Sequence, residues 1–211
     1  LAGANIVPTD KKGISPFHKK AIDAFQALSD RDPNSYIDGR LSIARQNMAV
    51  SYRLLGRYDE ALKEYEEVRP FAEKLLKEAP SDSNAIFALA QNHAGVGLVY
   101  KAQNGTKDQQ AIEAITKGTD LLKQILSVHP KGLETLTVHV NVVNELAVVQ
   151  VRSGKRAAAI ESYLSAAENL RVLLSVEPVN IGFKNSLMAT LAHLSDQQWF
   201  SNKVEDSYVS L

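Results

Sequence analysis

The chain has 211 residues, of which 45% are apolar and 23% charged, and its 24 Lys and Arg residues balance its 24 Asp and Glu residues. A nucleic-acid binding protein usually shows a basic excess, so we expect no nucleic-acid partner. The lack of cysteine excludes disulfides, thiolate metal sites and a cysteine nucleophile. No apolar run approaches the ~20 residues of a membrane-spanning helix, so we expect no membrane insertion. The composition suits the cytoplasm and a periplasmic or secreted location equally.

The first predicted elements are an extended N-terminal segment over residues 1–14 and a partial helix over residues 15–30. The motif "SPFHKKAIDAF" opens this helix with Ser15 as a cap and Pro16 as the first helical residue. We expect the whole of residues 15–211 to form a single helical repeat domain.

Three repeat units follow, over about 40–80, 84–130 and 133–178, and each ends at a proline. Pro80, Pro130 and Pro178 lie 50 and 48 residues apart. A shift of 98 residues superimposes seven identities of the first unit on the third, which are Ala49, Gly56, Ala61, Tyr65, Leu75, Leu76 and Pro80. The middle unit matches in two parts because "AQNGTKDQQ" inserts about five residues. Such a period is typical of a repeat architecture.

Each unit reads as two helices, predicted at 41–55 and 58–79, at 84–103 and 108–129, and at 133–153 and 156–177. Gly56 and Gly154 mark two of the breaks, since glycine accepts the left-handed conformation that ends many helices. Ser and Asp in "PSDSN" are candidate caps for the next helix. Pro70 falls inside a predicted helix, so we expect a kink or local break at 66–70.

A terminal partial unit over 181–211 completes the chain, with a first helix in "NIGFKNSLMATLAHLSDQQWF" and a truncated second helix over 200–211. Within the units, small residues predict close helix crossings. Ala49 and Ala61 lie where the two helices of one pair are expected to meet, and "AGVG" at 94–97 indicates another close approach. We expect Tyr52 and Tyr65 to fill space between neighbouring pairs.

These residues resemble the tetratricopeptide repeat family in a long-repeat variant. The first unit carries most of the family signature, namely Met48, Ala49, Tyr52, Gly56, Tyr58, Ala61 and Tyr65. The third unit keeps Ala147, Gly154, Ala159 and Tyr163 but has Gln150 at an aromatic position, and the second has Gly97 there. All three exceed the usual length of about 34 residues. The resemblance implies an all-α fold, an α-solenoid of stacked antiparallel helix hairpins in a right-handed superhelix.

In the family that this chain resembles, the first helices line a concave groove that binds peptides. The groove residues that we predict are Gln46, Asn47, Arg53, Gln91, Asn92, Asn144 and Glu145. Side-chain amides both donate and accept hydrogen bonds, so a row of them suits the backbone of an extended peptide. The alternative is that they cap, bridge or face water. Likewise Arg45, Arg53 and Arg152 are either contacts for an acidic ligand or exposed helix arginines.

The resemblance also predicts that one family site is missing. Relatives that hold a C-terminal carboxylate use lysine, asparagine and arginine at defined groove positions. The matching positions lack lysine and arginine, and they are Ile43, Gln46, Val50, Ala88, Gln91, Gly95, Asn141, Asn144 and Val148.

No residue pattern predicts catalysis, a metal site or a cofactor. The five histidines include no pair at ligand spacing with an intervening glutamate, and no glycine-rich phosphate loop follows a strand. The leading hypothesis is therefore a non-enzymatic scaffold that binds a protein or peptide in a preformed groove.

Three alternatives stay open. The first is a regulatory or sensor segment of a larger bacterial signalling protein, suggested by the start at Leu1 and the unfinished last hairpin. The second is a helical-repeat enzyme with scattered carboxylates. The third is a structural protein that self-associates through the incomplete terminal hairpin.

Overall fold

The computed structural model describes residues 16–32 and 35–209, and the side chains of all of these except 35 and 202–209. Within them the chain forms eight α-helices and no β-strand. The helices are α1 (Pro16–Arg31), α2 (Ser35–Leu54), α3 (Tyr58–Glu78), α4 (Ser83–Ala102), α5 (Asp108–Val128), α6 (Leu133–Arg152), α7 (Arg156–Val176) and α8 (Ile181–Val209). The predicted extended segment 1–14 and the cap at Ser15 lie outside the described residues.

The chain divides after Pro80 into two compact units. In the first, α2 packs against both α1 and α3. In the second, α4 pairs with α5 and α6 pairs with α7, while α5 also packs on α6 and α7 packs on α8. Consecutive helices therefore pack as stacked antiparallel hairpins, which confirms the predicted all-α solenoid class. The right-handed superhelix and the single domain over 15–211 stay predictions.

The predicted helix pairs agree with the structure to within about one residue, except at the start of α2. That helix begins at Ser35 rather than near residue 41. The added turns pack against α1, where the Ser29 hydroxyl donates to Asp38 Oδ1 over 2.6 Å. This contact compensates for Gly39 inside the helix, a residue that weakens helices.

Glycine ends α2 and α6 as the sequence predicted. Gly56 and Gly154 both have φ of +73°, in the left-handed region. The amide of the next residue reaches back to the last turn, from Arg57 N to Tyr52 O over 2.9 Å and from Lys155 N to Gln150 O over 2.8 Å. These bonds satisfy carbonyls that the helix end would otherwise leave unpaired.

The start of α4 is fixed by one of the two predicted cap residues. Asp82 is the N-cap, and its Oδ1 accepts hydrogen bonds from Asn84 N over 2.6 Å and from Ala85 N over 3.3 Å. The carboxylate also lies at the positive end of the helix dipole.

The break predicted near Pro70 does not occur, because α3 runs without interruption from Tyr58 to Glu78. Pro70 is exposed, whereas Val68 and Ala72 beside it are buried. The missing hydrogen bond therefore lies on the solvent side of the helix, and the packing of the opposite side keeps the helix continuous. Whether the helix is kinked at Pro70 stays a prediction.

The truncated second helix predicted over 200–211 is also wrong, because α8 continues to Val209 as one helix of 29 residues. In each earlier pair, a turn that contains a glycine separates the first helix from the second, at Gly56, Gly105 or Gly154. After Gly182 the sequence has neither glycine nor proline, so nothing ends the helix near residue 200.

Small residues lie at the helix crossings, as predicted. Ala49, Ala61, Ala147 and Ala159 are each 0% exposed. A Cβ on Gly97 would lie 2.4 Å from Ile115 Cγ1 and 2.9 Å from its backbone nitrogen. The α4–α5 crossing is therefore so close that position 97 requires glycine.

Candidate functional site

Two adjacent pockets open between α6 and α8 in the second unit, and α7 contributes to both. We call them together the α6–α8 furrow. The polar pocket has a volume of about 220 Å³ and is lined by Asn144, Glu145, Val148, Tyr163, Ser186, Ala189, Thr190 and His193. The apolar pocket has a volume of about 230 Å³ and is lined by Thr137, Val140, Asn141, Leu170, Leu173, Asn180, Gly182, Phe183 and Ser186. Ser186 lines both.

The furrow exists because α8 presents small side chains along one line. Gly182, Ser186 and Ala189 follow one another at helical spacing and leave room opposite α6. Asn180 fixes the start of this helix, since its Oδ1 accepts a hydrogen bond from Phe183 N over 3.1 Å. The cap holds Phe183 in place as one wall of the apolar pocket.

A side-chain pair joins α6 to α8 within the polar pocket. Asn144 Nδ2 donates to Thr190 Oγ1 over 3.1 Å, and the Thr190 hydroxyl lies 3.4 Å from Asn144 Oδ1. Thr190 is 2% exposed, whereas Asn144 is half-buried. Both polar atoms of this predicted groove residue therefore contact Thr190, while its side chain also lines the pocket.

Glu145 supplies the carboxylate of the polar pocket. Its Oε2 forms an ion pair with Lys101 Nζ on α4, and its side chain is 40% exposed. Within the described residues, Oε1 makes no hydrogen bond. This oxygen is therefore an available acceptor beside the pocket.

An aromatic pair forms the other side of the polar pocket. The rings of Tyr163 and His193 stack with centroids 5.7 Å apart and an angle of 22° between their planes. Burial raises the pKa of the Tyr163 hydroxyl, and the negative charge of Glu145 adds to the increase. The hydroxyl therefore stays protonated and acts as a hydrogen-bond donor as well as an acceptor.

The structure separates the predicted groove residues between the two units. Gln46, Asn47 and Arg53 lie on α2 of the first unit, where Asn47 is exposed and the other two are half-buried. Gln91 on α4 is half-buried. Of the seven predicted residues, the furrow brings together Asn144 and Glu145.

Asn92 does not fit the predicted groove, because its side chain on α4 is 0% exposed. It follows the same Gln-Asn pattern as Asn47, but it lies on the packed side of its helix and offers no surface to a ligand in this structure.

Two of the arginines considered for an acidic ligand are already held by carboxylates. Arg45 Nη1 donates to Glu64 Oε2 over 2.9 Å. Arg152 Nε donates to Asp108 Oδ2 over 2.7 Å, and this bond is the main cause that lowers the pKa of Asp108. An acidic ligand would have to displace these pairs.

Sequence reasoning missed the α8 side of the furrow. It singled out Asn141, Asn144 and Val148 as positions that match the family groove, and all three line the furrow. It assigned no role to Ser186 or His193. The recurrence of small residues at Gly182, Ser186 and Ala189 was the available signal.

No metal or membrane site is found in the described ranges. They contain no group of three or more His, Asp or Glu side chains placed to hold a metal ion. None of their helices combines the length and apolar character needed to cross a bilayer.

Comparisons with known proteins leave the family open. No protein-family model matches the chain, and the comparison with curated proteins found no match. The tetratricopeptide resemblance therefore rests on the residues quoted above.

Proposed function

We propose that this protein is a non-enzymatic scaffold of the tetratricopeptide type that binds an extended peptide segment of a partner protein in the α6–α8 furrow. The observation that carries the proposal is the pair of adjoining pockets between α6 and α8. Asn141 and Asn144 in their lining offer the amide groups that suit a peptide backbone.

The size of the pockets favours a peptide over a small molecule. Sites for small molecules usually enclose about 300–1,000 Å³, whereas these pockets hold about 220 and 230 Å³. Each has room for one side chain. Two such pockets in a row suit a segment that inserts two side chains and lays its backbone along the furrow.

Rigid walls reduce the cost of binding. Helix α6 is held to α7 by buried contacts and to α8 by the Asn144–Thr190 pair. A preformed site loses little conformational entropy when the ligand arrives, so moderate contacts give measurable affinity.

The proposal is tested by peptide selection on the full chain, from a random peptide library displayed on phage. Selected peptides are synthesised and titrated by calorimetry against two variants. Ser186→Trp fills the boundary between the pockets and should weaken binding by about tenfold or more. Ser175→Trp places the same side chain at an exposed position on α7 outside the furrow and should change little.

Thermal unfolding by circular dichroism controls for misfolding of the variants. Failure to select any peptide, or equal binding by wild type and Ser186→Trp, contradicts the proposal.

A second candidate function is self-association through the outer face of α8. Ile181, Met188 and Trp199 share that face and are 72%, 62% and 52% exposed. Met188→Glu should then lower the mass measured by light scattering at high concentration. A monomer mass at every concentration for the wild type rejects this candidate.

A further inference from the structure

We infer that the polar pocket is a subsite for a basic side chain, most favourably arginine, and that the preferred ligand carries an apolar side chain three residues from it. This inference rests on the proposed function and names the chemistry of its ligand.

The charge of the polar pocket points to a cation. Its lining contains one carboxylate, Glu145, and no lysine or arginine. Lys101 pairs with Glu145 Oε2 from outside the lining, which leaves Oε1 as an acceptor. A basic side chain entering the pocket therefore meets an acceptor on a carboxylate that it shares with Lys101, and no lysine or arginine in the lining itself.

The other polar groups extend this acceptor set. The Tyr163 hydroxyl makes no hydrogen bond to the described residues and is not fully enclosed. It lines the polar pocket together with Glu145. A guanidinium carries five donors in a planar fork and can bond to two acceptors at once, which a lysine ammonium does with less directional control.

The apolar pocket selects a different side chain. Val140, Leu170, Leu173 and Phe183 are four of its nine lining residues, and no charged residue lines it. An aliphatic side chain would bury its surface there without leaving a charge unpaired.

The distance between the pockets sets the spacing of the two ligand side chains. On α6 the apolar pocket uses Thr137, Val140 and Asn141, and the polar pocket uses Asn144, Glu145 and Val148. The two groups are centred about six residues apart, which is about 10 Å at ~1.5 Å per residue. A polyproline II segment advances ~3.1 Å per residue and returns to the same face every third residue, so residues i and i+3 fit the two pockets.

The test uses the selected peptides and charge variants of the full chain. Enriched peptides should carry an apolar residue and an arginine or lysine three positions apart. Glu145→Gln should weaken binding of such a peptide by about tenfold, whereas Glu161→Gln, which removes an exposed carboxylate from α7 outside the furrow, should not.

A double-mutant cycle separates a direct contact from a change in fold. Replacing the peptide arginine by citrulline, which is neutral, should reduce the binding free energy by about as much as Glu145→Gln does. The two changes together should reduce it by little more than either change alone. If Glu145→Gln weakens the citrulline peptide as much as the arginine peptide, the effect is structural and the inference is wrong.

A gain of affinity gives an independent check that misfolding cannot imitate. Lys101→Met removes the cation that shares Glu145, so it should strengthen the arginine peptide by several-fold, and unchanged or weaker binding counts against the inference. Selected peptides that lack a basic residue but lose binding in Ser186→Trp overturn the inference and leave the proposed function standing. If Ser186→Trp leaves the affinity of the selected peptides unchanged, both the inference and the proposed function are wrong.

Discussion

His139 should make the second unit sensitive to acid. It is 1% exposed on α6, Nδ1 lies 2.8 Å from Asn169 Nδ2 on α7, and Nε2 has no hydrogen-bond partner among the described residues. Burial lowers the pKa of His139 from 6.5 to about 4, and the nearby charge of Lys123 adds to the decrease, while Asp120 opposes it.

The sign of the effect follows from proton binding. Between pH 6.5 and about 4, His139 is protonated in the unfolded chain and neutral in the folded one. The unfolded state therefore binds more protons, and the free energy of unfolding falls as the pH falls through this range. At about 1.4 kcal/mol per pKa unit, the full loss is about 3 kcal/mol, of which about 2 kcal/mol is lost by pH 5.

Urea unfolding at pH 8, 6 and 5 measures this loss, followed by the fluorescence of Trp199, the one tryptophan of the chain, which lies in the second unit. The control is His139→Leu, which removes the titrating ring and keeps the other four histidines. The wild type should lose about 2 kcal/mol more than the variant between pH 8 and pH 5. Parallel pH profiles for the two proteins would refute the argument.

Two further predictions concern stability. Gly97→Ala should destabilise the chain by about 1–3 kcal/mol, because its Cβ would lie 2.9 Å from the Ile115 backbone nitrogen. Gly39→Ala, whose Cβ would have no atom within 4 Å, should stabilise the chain by about 0.5–1 kcal/mol. Urea midpoints measure both changes, and equal shifts for the two variants contradict the close-crossing argument. Asp82→Ala should cost about 1 kcal/mol by removing the α4 cap, and an unchanged midpoint shows that the cap contributes little.

The sequence was sufficient to predict the helix pairs because the signals are local. Glycine at positive φ ended α2 and α6 as expected, and an aspartate capped α4. Two predictions failed for different reasons, one because packing outweighs a local signal and the other because the local signal is absent. Pro70 did not break α3 because buried neighbours hold the helix, and α8 did not end near residue 200 because no glycine or proline interrupts it.

The candidate site was predictable on one side. Asn144 and Glu145 on α6 were found from the repeat register, but the same register placed Asn92 on a surface, and it is buried. A repeat register fixes a residue's position along its helix, whereas the distance to the next helix decides its exposure. The α6–α8 furrow depends on the distance between those two helices, and the sequence of one helix alone does not determine that distance.

The most direct test of the furrow is a heteronuclear NMR titration of the ¹⁵N-labelled full chain with a selected peptide. The side-chain amide signals of Asn141 and Asn144 and the backbone signals of 182–193 should shift in proportion to occupancy. If the shifts are confined to α1–α3, or spread evenly over the chain, the furrow is not the binding site.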